Sequence, residues 1–160
     1  MAPAFAERIA AVDWTAFHTA YGRADDVANQ LLRLASPDMA TALRASHELW
    51  CGLCHQHVQV GMAALPALPF ILEVMQAADE SLVYEILDII LGFAKGVNRN
   101  RYVDFQKALR REPQSDPDWV IALRARLTDE RDRFRVLGNH SNAGIAESAN
   151  AVLQELSGGE

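Results

Sequence analysis

Cys51-Gly52-Leu53-Cys54-His55 is the stretch whose residue types and spacing come nearest to a chemical reagent. It matches C-x-x-C-H, the attachment pattern of c-type haem. A second use appears when His47 and His57 are added. His47, Cys51 and Cys54 fall at i, i+4 and i+7 on one helix face, with His55 and His57 close by. Thiolates and imidazoles are ligands that zinc favours. Neither use suits the surroundings. Haem is attached outside the cytoplasm, and Met1-Ala2-Pro3-Ala4-Phe5-Ala6-Glu7-Arg8 lacks the basic start and apolar core of a signal peptide. Three ligands on one straight helix cannot wrap an ion tetrahedrally, and structural zinc sites draw on two cysteine-bearing knuckles where this chain has one. Thiol redox chemistry would want a preceding strand and a basic neighbour to lower a thiol pKa, and the stretch has neither. The expectation is two small thiols packed in a helix, with no metal and no cofactor.

Charged residues suggest contact rather than catalysis. Glu85 and Asp88 lie one helical turn apart, and Glu48 falls on the corresponding helix of the preceding unit. Together they would form an acidic ridge facing a basic partner, or simply the wet side of a helix. General acid–base work would need a cleft and a shifted pKa, which nothing in the pattern indicates. The opposite charge gathers at Asn98-Arg99-Asn100-Arg101-Tyr102, with Lys107, Arg110 and Arg111 following. Arginine with an interleaved aromatic can neutralise phosphate and stack on a base. Yet the net charge of the chain is −6, and residues 1–96 carry eleven acids against five bases. That surface would repel nucleic acid and anionic membrane alike. The partner-binding candidates are therefore Glu48, Glu85, Asp88, Arg99, Arg101 and Tyr102, with nucleic acid as the alternative through the Arg99–Arg111 cluster.

The elements that must position these residues are helices. With 160 residues, half of them hydrophobic, the chain can bury a core as one domain. No apolar run reaches the 18 or so residues that span a bilayer, since Leu82 to Ala94 is broken by Glu85 and Asp88. A cytoplasmic location with reduced cysteines is expected. Period-two alternation is absent, so no strand is expected. A short helix over 25–34 is followed by Ser36-Pro37-Asp38 and a longer helix to about His55. Leu65 to Ala77 then gives a short helix again, and Ala78-Asp79-Glu80-Ser81 opens a long one to about Lys95. The unit recurs after roughly 40 residues, the period of stacked two-helix repeats.

Residues 15–57 form the first repeat with an N-terminal cap and 62–97 the second. Residues 98–116 make a loop-rich connection with a short helix over 102–111, and 117–157 are C-terminal helices. Ser36 before Pro37 reads as a helix start, and Gly96 as a helix end. Pro66 and Pro69 suit only a first turn, so that helix should begin near Leu65 or Leu68. In 81–95 the polar line Ser81, Glu85, Asp88, Gly92 and Lys95 is so narrow that the helix must be packed on most sides. Trp14, Trp50 and Trp119 are spaced as core residues, and Ser157 to Glu160 reads as a frayed tail.

The chain resembles a group of small bacterial HEAT-like repeat proteins. The resemblance rests on Trp14, Ala20-Tyr21-Gly22, Ala24-Asp25-Asp26-Val27, Leu31 and Leu34-Ala35-Ser36-Pro37-Asp38. It continues through Leu49, Cys54-His55-Gln56, Val58, Ala63-Ala64, Pro66 and Leu68-Pro69-Phe70-Ile71-Leu72, and fades after about residue 95. The family pattern has Gly after His-Gln, where this chain has His57. The resemblance implies an all-α fold, a short right-handed α-solenoid of HEAT-like helix pairs with capping helices. It also implies a binding role without catalysis, as a scaffold or as an immunity protein that blocks a toxin. A basic toxin domain is the partner that the acidic surface would suit.

Overall fold

Apolar positions recur at helical spacing through nearly the whole chain, and helices are what form. The structure, a computed structural model, describes residues 3–158. Within them run α1 (Phe5–Ala10), α2 (Val27–Leu34), α3 (Met39–Cys54), α4 (Ala64–Ala77) and α5 (Glu80–Val97). The chain continues through α6 (Arg99–Ala108), α7 (Asp118–Asp129), α8 (Arg131–Leu137) and α9 (Ala143–Gly158). The fold is an all-α, multi-helix bundle.

α5 is its centre, packed most extensively on α9 on one side and on α3 on the other. Its sequence explains why. Leu82, Val83, Ile86, Leu87, Ile89, Ile90, Phe93, Ala94 and Val97 are all buried, a surface far wider than one amphipathic stripe. α3, α5 and α9 form a layer in which all three run the same way. Ser81 near the start of α5 meets Met39 at the start of α3 (Oγ to Sδ, 3.8 Å), and Gly92 late in α5 lies against Cys54 at the end of α3. Tyr84 in α5 lies over Gly144 in α9, and Asn98, just past α5, reaches Glu155 late in α9. α2 pairs with α3 and also touches α4, and α4 in turn touches α7. Trp14 is buried, and Trp50 and Trp119 pack partly buried against the core.

Several local expectations are corrected. A two-residue antiparallel pair, His18–Thr19 with Gly22–Arg23, does form where no strand was expected. It is held from outside: Ala20 N–H donates to Gly52 O (2.8 Å) and Ala63 N–H to His18 O (3.0 Å). Tertiary anchoring, rather than strand propensity, makes it. The cap of α3 is Asp38 and not Ser36, because the Asp38 carboxylate accepts from Thr41 N–H at 3.0 Å and from the Thr41 hydroxyl. Pro69 lies inside α4 rather than in its first turn. Gly96 is within α5, which ends at Asn98 because that side chain caps the next helix, accepting from Asn100 N–H (3.0 Å) and Arg101 N–H (3.3 Å). Ser157 and Gly158 continue α9, while Gly159 and Glu160 of the expected tail lie outside the described residues, as do Met1 and Ala2.

Candidate functional site

The cysteine–histidine segment ends α3. His55 stops the helix in the left-handed region, and its N–H still donates to Cys51 O and Trp50 O. The left-handed conformation then persists through Gln56 and His57, with φ of 43°, 54° and 70° along the three residues. Three successive non-glycine residues there are strained, at roughly 1–2 kcal/mol each. His57 has the most positive φ of the three. Side chains hold the turn. His57 Nε2 lies 2.7 Å from Asp88 O and 3.1 Å from Asp88 Oδ1, and Lys95 Nζ is 3.2 Å from Nδ1. The His57 ring meets Trp50 edge-on at 6.0 Å, and His55 meets the exposed Tyr21 in the same way at 5.8 Å.

The thiols are separated by environment. Cys54 is buried with its Sγ–H donating to Trp50 O (3.2 Å), and burial pushes its pKa up to about 12. Such a thiol is a poor nucleophile at neutral pH. Cys51 is half-buried, with its Sγ 3.7 Å from His47 Nε2. Among the described residues, no three His, Cys, Asp or Glu side chains form a group that could hold a metal ion. His47, Cys51, Cys54, His55 and His57 are near in sequence, but while His47 faces Cys51, the other three turn toward Trp50 O, Tyr21 and Asp88.

The acidic ridge is divided as well. Glu48 is clasped by Arg33 of α2 through both carboxylate oxygens, and this hydrogen bonding holds its pKa below the usual range. Asp88 faces His57. Glu85 alone of the three has no hydrogen-bond or ion-pair partner among the described residues, and it stands beside the half-exposed Tyr84.

The basic cluster is used internally at its beginning. Arg99 Nη1 donates to Gln114 O (2.5 Å) and Asp116 Oδ1 (3.1 Å), and its guanidinium lies over the Tyr102 ring at 5.1 Å. Tyr102 Oη accepts from Gln114 N–H (3.0 Å). Arg101 clasps Glu155, and Arg124 joins Asp116 (2.6 Å) and Val97 O (2.6 Å). These bonds pin α6 and the 109–117 segment to the body. Lys107, Arg110 and Arg111 remain exposed beyond them.

Sequence reasoning missed a groove at the other end of the bundle. It measures about 470 Å³ and is lined by parts of α1, the α2–α3 turn, α4 and the start of α5. Four separate segments contribute, so no local motif could have signalled it.

The molecule is thus an all-α helical bundle, and no described helix is long and apolar enough to cross a membrane. Compared with protein-family models, curated proteins and solved structures, the chain matches none.

Proposed function

We propose that the chain is a non-catalytic protein-binding module, a short right-handed solenoid of HEAT-like helix pairs with capping helices. Its most concrete role is that of a cytoplasmic immunity protein neutralising a basic bacterial toxin. The observation that supports this reading is the shared direction of α3, α5 and α9, with Met39 and Ser81, 42 positions apart, meeting at equivalent ends of neighbouring helices. Stacked units of about that length present extended surfaces suited to gripping another chain.

The net charge of −6 suits a basic partner, since opposite charge raises the rate of encounter. Glu85 is the residue of the acidic edge best placed to meet it, because Glu48 and Asp88 already have internal partners. The nucleic-acid alternative through the Arg99–Arg111 cluster has less to support it, because Arg99, Arg101 and Tyr102 hold the fold together and leave the exposed Lys107, Arg110 and Arg111 to meet a phosphate backbone.

The test is affinity capture of the tagged protein from its native lysate, followed by mass spectrometry. A stoichiometric basic partner is expected, toxic when produced alone and harmless when co-produced with this chain. Glu85→Lys should weaken the complex without altering the fold. Recovery of nuclease-sensitive nucleic acid and nothing else would overturn the reading.

A further inference from the structure

The groove between α1, the α2–α3 turn, α4 and α5 has an apolar floor and an acidic lip. Leu34 and Leu82 are buried at its base, and the partly buried Phe5, Met39 and Val74 form its walls. α1 is fastened in place, so the walls are pre-formed. Arg8 pairs with both oxygens of Glu73 (2.7 and 2.8 Å), and Phe5 meets Phe70 edge-on at 5.7 Å. A space of about 470 Å³ falls within the range of ligand pockets and admits one or two large side chains.

Charge narrows the occupant. Arg8 and Glu73 neutralise each other at the rim. Asp79 precedes α5 but makes no capping bond, and its carboxylate has no partner among the described residues. Asp38, next to Met39, is held below the usual carboxylate range by hydrogen bonds from Thr41, so it stays ionised at neutral pH. The lip therefore carries one carboxylate, that of Asp79, with no side-chain partner among the described residues, and Asp38 adds negative charge just outside the groove. The contact of Ser81 with Met39 joins this lip to the exposed edge of α5 that bears Glu85.

We propose that the groove seats an apolar side-chain anchor from a basic segment of a partner protein, with a flanking Lys or Arg facing Asp79. This rests on the protein-binding reading and names the place where the partner docks. Large apolar side chains in pockets, ringed by polar contacts, are where interfaces concentrate their affinity.

The test uses NMR of methyl-labelled methionine, because Met39 reports from inside the groove. The probe is a short amphipathic peptide of Leu and Lys, compared with its Leu and Glu counterpart. The Leu–Lys peptide should move the Met39 methyl saturably, and the Leu–Glu peptide should not. Val74→Glu, which puts a charge on the apolar wall, should weaken binding about tenfold or more. Asp79→Asn, which leaves the helix start intact, should weaken it about threefold at low salt, the scale of one exposed ion pair. An unmoved Met39, equal response to both peptides, or unchanged affinity in Val74→Glu would overturn the proposal. A captured toxin that Val74→Glu binds as tightly as the parent would sink the groove alone. A responsive groove in a chain that captures no partner would sink the immunity role alone.

Discussion

His57 Nε2 lies 2.7 Å from the backbone oxygen of Asp88, across 31 residues of sequence, and this contact ties a strained turn to the central helix. The imidazole N–H donates to that carbonyl and faces the Asp88 carboxylate, while Nδ1 accepts from the Lys95 ammonium at 3.2 Å. Tertiary hydrogen bonds thereby offset a left-handed backbone that His55, Gln56 and His57 would not hold by themselves.

Strain and its restraint should separate on mutation. Gln56 is exposed, and its side chain reaches only Cys51 Sγ, at 3.9 Å. Gln56→Gly should therefore stabilise the protein by about 0.5–1 kcal/mol in urea denaturation, relief of strain exceeding the entropy that glycine costs. His57→Ala keeps the strain and loses the tether, and should destabilise by about 1–2 kcal/mol. Equal effects of the two changes would contradict this division.

α5 passes close against the end of α3 at Gly92. A methyl group there would lie 2.5 Å from Cys54 Sγ and 2.8 Å from His57 Cδ2. Gly92→Ala should cost about 1–3 kcal/mol through overpacking. At Gly52, on α3, a methyl group would meet no atom within 4 Å. Gly52→Ala should gain about 0.5–1 kcal/mol from helix propensity. Thermal melts of the two variants should move in opposite directions.

Thiol reactivity should differ between two cysteines three residues apart. Iodoacetamide at neutral pH should alkylate the half-buried Cys51 in the folded protein and spare Cys54, whose pKa burial raises to about 12. Peptide mass spectrometry reads the ratio. Both thiols should react once the protein is unfolded in denaturant.

Acid should unfold the protein through its internal carboxylates. Hydrogen bonding from Arg101 holds Glu155 below its ordinary pKa, and hydrogen bonding from Arg33 does the same for Glu48. Burial works to raise Asp116, but the hydrogen bonds and charges of Arg124 and Arg99 outweigh it and leave that carboxyl lowered too. With folded pKa values depressed, the unfolded chain binds more protons, so stability rises with pH through this range. The contribution is fully present above the unfolded values, near pH 4, and is lost as pH falls through the folded ones. Glu155→Gln should lower stability at neutral pH and flatten the acid limb of a stability–pH curve. An unchanged acid limb would show that this pair does not contribute.

Much of the architecture could be read from spacing. The apolar positions of 81–95 required a helix packed on most sides, and α5 is that helix. The breaks near residues 36, 78 and 98 fell where one helix gives way to the next, because proline, asparagine and capping aspartate act within a few residues of themselves. The His18–Thr19 pairing was illegible for the opposite reason, since the backbone groups that hold it belong to Gly52 and Ala63.

The candidate residues divide in the same way. Sequence placed Glu48 on a helix and Arg99 and Arg101 in a loop-rich connection, all as free charges, because charge type is a local property. Their partners Arg33, Asp116 and Glu155 lie 15, 17 and 54 positions away. Only the packing of α2 on α3, and of α6 beside α7 and α9, could decide that these charges are internal while that of Glu85 is not. The chain by itself determined that helices form, roughly where one gives way to the next and how wide an apolar face the central one presents, since these follow from neighbours within a turn or two. The tertiary structure decided which charges are already matched, which thiol is sealed and where a groove opens, because each depends on distances between segments that local propensity does not set.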